Sequence, residues 1–190
     1  MKMLLRHLLS ITILPFTVTV LVPVWIARSH GLKPAIGASA GPILVQAGGA
    51  ALLVLGIVLA SASVWHFATE GKGTLAPWDP PRAFVANGPY RYVRNPMISG
   101  VFLILFGEAF ALLSRPQAVW AACFVALNLV FIPFVEEPQL ERRFGEPYRE
   151  YRMHVRRFLP RLRPWESRVQ EGGAPATQNG LPSHKRADEA

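Results

Sequence analysis

The sequence predicts an all-α integral membrane protein with about four transmembrane helices, a C-terminal amphipathic cytoplasmic helix and a disordered tail. Three observations support this fold class. Of the 190 residues, 51% are hydrophobic and only 17% are charged, whereas an ordinary soluble domain carries about 25% charged residues. Several long runs lack Asp, Glu, Lys and Arg. Most basic residues follow these runs, as expected at the cytoplasmic face of a membrane.

Four apolar runs account for the predicted transmembrane helices, since about 20 residues cross a bilayer core. They comprise residues 8–27, a segment within residues 41–67, residues 96–114 and residues 116–135. The first run is longer than the apolar core of a signal peptide, which has roughly 7–15 residues, so we interpret it as a span. Because only Arg115 and its neighbours separate the last two runs, these are predicted to form a tight helical hairpin.

Glycines in the second run predict a close helix contact and do not predict a nucleotide-binding fold. Gly48, Gly49 and Gly56 are small enough to let two membrane helices approach each other. They do not form a Gly-x-Gly-x-x-Gly fingerprint, so nothing supports a Rossmann cofactor site. The single cysteine, Cys123, rules out an intrachain disulfide. No His, Cys or carboxylate cluster has metal-ligand spacing, and no metal is expected.

Residues 136–160 have the period of an amphipathic helix, broken near residues 145–147. Such a helix lies on the membrane surface or packs against a loop beneath the bundle. One face is apolar and the other is rich in arginine. The apolar face contains Leu140, Phe144, Tyr148, Tyr151, Val155 and Phe158, and the basic face contains Arg142, Arg143, Arg149, Arg152 and Arg156.

The chain divides into three predicted regions. Residues 1–70 form an N-terminal transmembrane pair, residues 71–165 a core of loop, hairpin and amphipathic helix, and residues 166–190 a tail. Disorder is expected after Pro164, because the composition turns to Gly, Pro, Ser, Gln and charge. Lys and Arg favour the cytoplasmic side, which therefore receives both termini and the polar segments of the core. Arg28 and Lys33 are exceptions on the other side.

The formal net charge of +8 could suggest a nucleic-acid partner. Its location beside the apolar runs indicates a membrane face instead. No RNA- or DNA-binding motif accompanies the charge, so nucleic acid is not expected as a partner.

Two polar segments flank the predicted hairpin. The first ends a loop rich in Gly and Pro and has the sequence Gly88-Pro89-Tyr90-Arg91-Tyr92-Val93-Arg94-Asn95-Pro96-Met97. The second follows the fourth run and contains Glu136-Glu137-Pro138-Gln139-Leu140, then Phe144-Gly145-Glu146-Pro147-Tyr148-Arg149-Glu150-Tyr151. Because a hairpin brings its two open ends to one side, we expect residues 94–96 to lie near Glu136 and Glu137.

These segments resemble the signature of a membrane methyltransferase superfamily. It includes isoprenylcysteine carboxyl methyltransferases and phosphatidylethanolamine N-methyltransferases. The signature is a Gly-Pro-Tyr-x-x-x-Arg-His-Pro stretch before a helical hairpin, then a Glu-Glu pair, then a Phe-Gly-x-x-Tyr-x-x-Tyr surface helix. The resemblance covers about residues 71–163. It implies S-adenosylmethionine as cofactor, the lipid bilayer as environment and a lipophilic or small molecule as methyl acceptor.

This chain departs from the signature at two positions. Asn95 stands where the family commonly has His, and Ile98 where it often has Tyr. An Asn side chain still donates and accepts hydrogen bonds but does not titrate. A contact with the cofactor is therefore retained at position 95, and a proton-transfer role is not.

The resemblance and the chemistry of the side chains together give a candidate site. Carboxylates accept hydrogen bonds from hydroxyl or amino groups, arginine holds a carboxylate through a forked contact, and tyrosine covers an adenine ring. The catalytic residue is not identified, and the best candidates are Arg94, Asn95 and Glu137. The expected cofactor-binding residues are Tyr90, Arg91, Arg94, Asn95, Pro96, Gly100, Glu136, Glu137, Tyr148 and Tyr151.

The sequence leaves the methyl acceptor open. A carboxylate acceptor needs no base, whereas an ammonium acceptor must first lose a proton. Since no residue is a clear base, a carboxyl or thiol acceptor, as in a reaction of the isoprenylcysteine carboxyl methyltransferase type, is favoured over phospholipid N-methylation. A prenylated protein, an isoprenoid acid, a small thiol and a phospholipid amine all stay open. The oligomeric state is not indicated.

Purely structural interpretations and other function classes are alternatives to the methyltransferase interpretation. The Glu pair would also suit the N-terminus of a surface helix, where carboxylates are favourable. The chain could be a non-catalytic membrane module that binds through its arginine-rich face. It could also be a small transporter that uses Glu108, an ionisable residue inside the third run. Glu108 and Arg115 are predicted to share one helix face about 10 Å apart, which favours a structural role for Glu108.

Overall fold

The structure is a computed structural model that describes residues 12–32, 39–70, 84 and 86–166. Every regular element within these residues is helical, which confirms the all-α class. We number the helices along the chain and count each π-helical stretch with its neighbouring α-helix. They are α1 (Thr12–Leu21 as π-helix, then Val22–Ser29), α2 (Ala40–Glu70), a 3₁₀ turn (Gly88–Arg91), α3 (Pro96–Ala111), α4 (Arg115–Phe131, then Ile132–Glu136 as π-helix), α5 (Glu137–Phe144) and α6 (Glu146–His154).

Within the described residues, two helical segments are long and apolar enough to cross a membrane. They are Ala40–His66, with a mean hydropathy of 2.4, and Arg115–Phe144, with a mean hydropathy of 2.3. Pro15–Ser29 and Pro96–Ala111 are shorter apolar helices, so the arrangement of four spans stays a prediction. Large apolar side chains point outward from the bundle, among them Trp25, Leu44 and Phe134 at 68%, 71% and 76% exposure. Extensive apolar surface of this kind marks contact with lipid or with a partner.

Helices α2 and α3 approach each other through two glycine pairs. A Cβ atom built on Gly56 would lie 2.7 Å from the Gly100 carbonyl oxygen, and one on Gly49 would lie 2.8 Å from the Gly107 carbonyl oxygen. No side chain fits at such distances, so the two backbones are in direct contact. The close packing predicted for Gly49 and Gly56 is therefore confirmed, whereas Gly48 has no atom within 4 Å of its would-be Cβ.

Helix α1 packs against α3 and α4 through an apolar cluster and two side-chain hydrogen bonds. The Trp120 indole N–H donates to the Val18 carbonyl at 3.3 Å, and the Gln117 amide donates to the Pro23 carbonyl at 3.3 Å. The large majority of polar groups buried in proteins are paired in this way. The cluster comprises Val101, Leu105 and Ala121, with Val18, Phe106, Trp120 and Phe124 around them.

The fourth apolar run and the Glu pair belong to one continuous helical path. The α4 helix widens into a π-helical segment at Ile132–Glu136 and then continues as α5. Pro133 lies in that segment, and a proline inside a helix lacks the N–H that an α-helical hydrogen bond needs. Glu136 and Glu137 therefore continue the path of α4. Glu137 lies in the first turn of α5, and the Glu136 side chain makes no capping hydrogen bond. The predicted break after Phe144 is confirmed at Gly145, whose φ is +61°.

The amphipathic helix ends six residues earlier than expected. Its last helical residue is His154, and Val155 adopts extended backbone with φ −111° and ψ 126°. Residues 155–166, which we call the C-terminal strap, turn back toward the segment before α3. The Phe158 ring lies 5.4 Å from the Phe102 ring of α3. Trp165 is buried, so ordered chain extends beyond Pro164, to Glu166. The remainder of the predicted tail and most of the loop at residues 71–85 lie outside the described residues.

Glu108 and Arg115 do not share a helix. Helix α3 ends at Ala111, and the chain turns at Leu113, a non-glycine residue with φ +49°, before α4 begins. Helical spacing does not continue through such a turn. The prediction that Glu108 and Arg115 share one helix face is therefore wrong. The described residues contain no ion pair between the two, and Glu108 Oε2 is buried without a hydrogen-bond partner.

We expect Gly56→Ala to destabilise the helix bundle. Its methyl group would collide with backbone atoms of Gly100 and Ile104 in α3, which cannot turn aside as a flexible side chain can, so the loss is about 1–3 kcal/mol. Thermal unfolding in detergent measures this effect. Gly48→Ala is the matched control, because it adds the same methyl group in open space of the same helix. Equal melting temperatures for the two variants would contradict the direct backbone contact.

Candidate active site

The segment before α3 is shaped by a glycine and a proline. Gly88 has φ +55°, and an added Cβ would overlap the His66 ring of α2. Gly88–Arg91 then forms a 3₁₀ turn, and α3 starts at the buried Pro96, whose missing N–H costs nothing in a first helical turn. The turn therefore packs against the end of α2 and leads along the chain into the start of α3.

The C-terminal strap runs beside this segment and is paired with it through the backbone. The N–H groups of Arg94 and Asn95 donate to the carbonyls of Arg156 and Arg157 at 2.9 and 3.2 Å. In the other direction, the Arg161 N–H donates to the Tyr92 carbonyl at 2.9 Å. The strap therefore fixes the backbone conformation of residues 92–95, where several candidate residues lie.

Glu137 lies at the centre of a buried ion-pair cluster. Its side chain is 2% exposed, and the Arg157 guanidinium donates to both carboxylate oxygens at 2.7 and 2.9 Å. Arg94 Nη1 lies 2.9 Å from the same carboxylate, and Arg152 Nε lies 3.6 Å away. The predicted proximity of Arg94 to the Glu pair is thus confirmed. The hydrogen bond to Glu137 raises the pKa of Arg157, so the pair stays ionised.

Three tyrosines surround this cluster. Tyr148 and Tyr151 are 3% and 2% exposed, and the Tyr151 hydroxyl donates to the Tyr90 carbonyl at 2.6 Å. Burial, with the negative charge of Glu137 beside it, raises the pKa of Tyr148 to about 12. The ring of Phe84, from the loop before the segment, packs edge-on against both buried tyrosines. Tyr148 and Tyr151 therefore stay protonated and form a packed wall.

Two side chains next to the cluster are not engaged by the described part of the chain. The Asn95 side chain does not cap α3, although Asn is a favoured capping residue, and it makes no other hydrogen bond there. The Glu136 carboxylate makes neither a hydrogen bond nor an ion pair with any described residue. It lies close enough to Tyr90 that burial and its negative charge raise the pKa of the Tyr90 hydroxyl. Arg94 adds a buried Nε without a hydrogen-bond acceptor.

The phospholipid methyltransferase family model matches residues 44–147, which is more than half of the chain. The chain belongs to the phospholipid methyltransferase family. It is thereby a membrane methyltransferase. Comparisons with curated proteins and with solved structures find no match. The matched region begins in α2 and ends in α6, so it contains the segment before α3, the hairpin and the Glu pair.

The remaining candidates for this methyltransferase site differ in their contacts. Arg91 donates to the Trp165 carbonyl at 2.9 Å and pairs with Glu166 at 2.7 Å, so it anchors the strap. Gly100 lies against α2, where a Cβ would be 2.8 Å from the Ala60 amide nitrogen. The structure brings Tyr90, Arg94, Glu136, Glu137, Tyr148 and Tyr151 together. Asn95 and Pro96 follow Arg94 directly in the chain at the start of α3. In the described ranges no group of three His, Cys or acidic residues has a metal-binding arrangement.

Two residues that build the site were missing from the sequence-based set. Arg157 supplies the forked contact to Glu137, and Trp165 packs its ring 5.2 Å from the Tyr151 ring. Both lie in the strap, which is not helical. Helical periodicity therefore does not indicate which way their side chains face. The concentration of arginine and aromatic residues after Phe144 was their only signal.

We expect Glu137→Gln to destabilise the protein by about 3 kcal/mol, because it leaves Arg94 and Arg157 without their buried counter-charge. Chemical or thermal unfolding in detergent checks this loss. Glu141→Gln is the matched control one turn further along α5. Its carboxylate also bridges two arginines, Arg149 and Arg152, but at the surface, where ion pairs contribute little. A loss for Glu141→Gln as large as that for Glu137→Gln would show that burial is not what matters.

Proposed function

We propose that this protein transfers a methyl group from S-adenosylmethionine to a lipophilic or small acceptor that reaches it from the membrane. One observation carries the proposal. The buried cluster of Glu137 with Arg94 and Arg157 fixes the two motif segments against each other and leaves unengaged polar groups beside it. Family membership makes the chain a membrane methyltransferase, and these groups give the transfer a cofactor site.

The unengaged groups fit the polar parts of S-adenosylmethionine. A buried guanidinium N–H without an acceptor is costly, and the cofactor's carboxylate would satisfy Arg94 Nε. The Glu136 carboxylate would accept hydrogen bonds from the ribose hydroxyls or the amino group. The Asn95 amide would donate or accept as the bound molecule requires.

The two glutamates of the pair then have different tasks. Glu137 is saturated by arginines, so it is a positioning residue that holds Arg94 and the strap in place. Glu136 has no partner among the described residues and is the one available to a ligand. Glu136 is the last residue of the π-helical segment, and Glu137 is the first residue of α5. π-Helical segments occur frequently at functional sites.

The residues of the site favour methyl transfer by orientation and by exclusion of water. S-adenosylmethionine supplies a methyl group attached to a positively charged sulfur. Transfer to an acceptor in line with that bond depends on alignment more than on a covalent enzyme group. The buried rings of Tyr148, Tyr151 and Trp165 exclude water beside the cluster. A water-poor site favours a reaction in which charge on sulfur disappears.

The strap gives an acceptor in the bilayer a route to the site. Leu159 and Leu162 are 64% and 101% exposed, and Arg156 and Arg163 lie near them in the sequence. Exposed apolar side chains interleaved with arginine suit the interface of a membrane with anionic lipids. We propose that the strap lies in the cytoplasmic interface, with the active site and both termini on that side, as the distribution of basic residues favours.

The proposed acceptor is a carboxylate of the isoprenylcysteine type, because this reaction needs no base. A phospholipid amine is the second candidate, and the family description favours it. An ammonium acceptor would pass its proton to a base, and the unengaged Glu136 is the group at hand. Methyl transfer into membrane lipids and prenylated peptides separates the two. A methyl ester releases methanol in alkali, whereas an N-methyl group does not.

We expect S-adenosylhomocysteine to bind the detergent-purified protein and each of two variants, Glu136→Gln and Asn95→Ala, to weaken binding about tenfold. That figure corresponds to the loss of one hydrogen bond that involves a charged group. Calorimetric titration measures it. Glu146→Gln is the matched control, because Glu146 is exposed and pairs only with the surface residue Arg149. The absence of binding to well-folded protein in detergent and in nanodiscs would refute the cofactor site.

We also expect the double variant Leu159→Ser/Leu162→Ser to raise the KM for an acceptor presented in vesicles by several-fold. Its affinity for S-adenosylhomocysteine should stay unchanged, because neither side chain touches the cluster. Initial rates at varied acceptor concentration give the KM, and calorimetry gives the cofactor affinity. A parallel loss of both would mean that the strap supports the cofactor site and not the entry of the acceptor.

A further inference from the structure

A concave surface lies at the end of the bundle opposite the candidate methyltransferase site. It is a groove of about 550 Å³ between the end of α1 and the start of α4. Arg115 at its mouth is 22 residues before Glu137 along α4 and α5, which corresponds to roughly 30 Å at 1.5 Å per residue. The groove is therefore separate from the candidate methyltransferase site.

The lining of the groove changes from basic to apolar with depth. His30 and Arg115 lie at the helix ends, and Ile26, Val119, Trp120 and Cys123 lie further along the two helices. Eight residues separate Arg115 from Cys123, which is about 12 Å along a helix. A membrane lipid has the same order, with a charged headgroup at the interface and acyl chains below it. The Trp120 ring is held in place by its hydrogen bond to Val18.

Helix stability does not explain the charge at the mouth of the groove. Arg115 is the first residue of α4, and a cation is unfavourable at a helix N-terminus. It makes neither an ion pair nor a hydrogen bond with any described residue. The nearest acidic residue along the chain, Glu108, lies in the preceding helix and does not pair with it. His30 is also exposed, and its Nδ1 is engaged with the Ile26 carbonyl at 3.0 Å, which leaves Nε2 available.

We propose that this groove binds an anionic phospholipid, with its headgroup at Arg115 and His30 and an acyl chain along Val119, Trp120 and Cys123. The charge of Arg115 selects an anionic over a zwitterionic headgroup, and the apolar wall selects a lipid over a soluble anion. The site neither uses nor requires the methyltransferase residues.

Cys123 provides a direct test because it is the sole cysteine and is exposed in the groove. We expect phosphatidylglycerol to slow alkylation of Cys123 in the full-length, detergent-purified protein about fivefold more than phosphatidylcholine with the same acyl chains. This corresponds to about one basic residue near a headgroup. Inorganic phosphate alone should leave the rate unchanged. Equal protection by the two lipids, or protection by phosphate, would overturn the proposal.

Native mass spectrometry of the protein with the same two lipids is the second measurement. Arg115→Gln should remove most of the preference for phosphatidylglycerol, whereas Arg149→Gln, which changes an exposed arginine already paired with Glu141 and Glu146 at the other end of the bundle, should retain it. Val119→Trp should fill the groove and reduce retention of both lipids. S-adenosylhomocysteine affinity serves as the folding control for all three variants. A preference that survives Arg115→Gln, or that Arg149→Gln removes equally, would contradict the assignment.

Discussion

The carboxylate of Glu137 is the meeting point of three parts of the chain. It lies at the end of the α3–α4 hairpin, and it binds Arg94 from the segment before α3 and Arg157 from the C-terminal strap. A buried carboxylate is tolerated only when opposite charges and hydrogen bonds surround it. If the strap detached, Arg157 would leave with it, and Glu137 would lose the guanidinium that binds both of its carboxylate oxygens. The backbone bonds between residues 91–95 and the strap depend on this anchor.

The bundle supports the cluster from the membrane side. The glycine pairs bring the backbones of α2 and α3 into contact. This contact fixes the position of the 3₁₀ turn, which packs on the end of α2 and precedes Arg94 and α3. The π-helical segment at Pro133 then sets the direction in which Glu136 and Glu137 leave α4. Neighbouring glutamates therefore meet different surroundings: Glu137 is enclosed by arginine, and Glu136 is left beside Tyr90. Glu137 stabilises the fold, and Glu136 has no ion-pair partner among the described residues.

The sequence predicts the all-α class, the hairpin and the proximity of Arg94 to the Glu pair, because hydrophobic period and loop length determine them. It does not predict the strap, since Arg157 and Trp165 act through an extended segment whose path depends on distant backbone partners. The sequence also assigns Arg91 to the cofactor, which stays a prediction, and the described contacts of that side chain are with Trp165 and Glu166. It also placed Glu108 and Arg115 on one helix, because a helical period does not reveal where a tight turn such as that at Leu113 interrupts it.

We propose that the cofactor lies against the segment before α3 and the π-helical end of α4. Photo-cross-linking of methyl-labelled S-adenosylmethionine, followed by peptide mapping, tests this placement. Ultraviolet irradiation should therefore label peptides that contain residues 88–97 or 132–144, and excess S-adenosylhomocysteine should abolish the label. Label that resists competition, or that falls on the far ends of α1 and α4, would contradict the account.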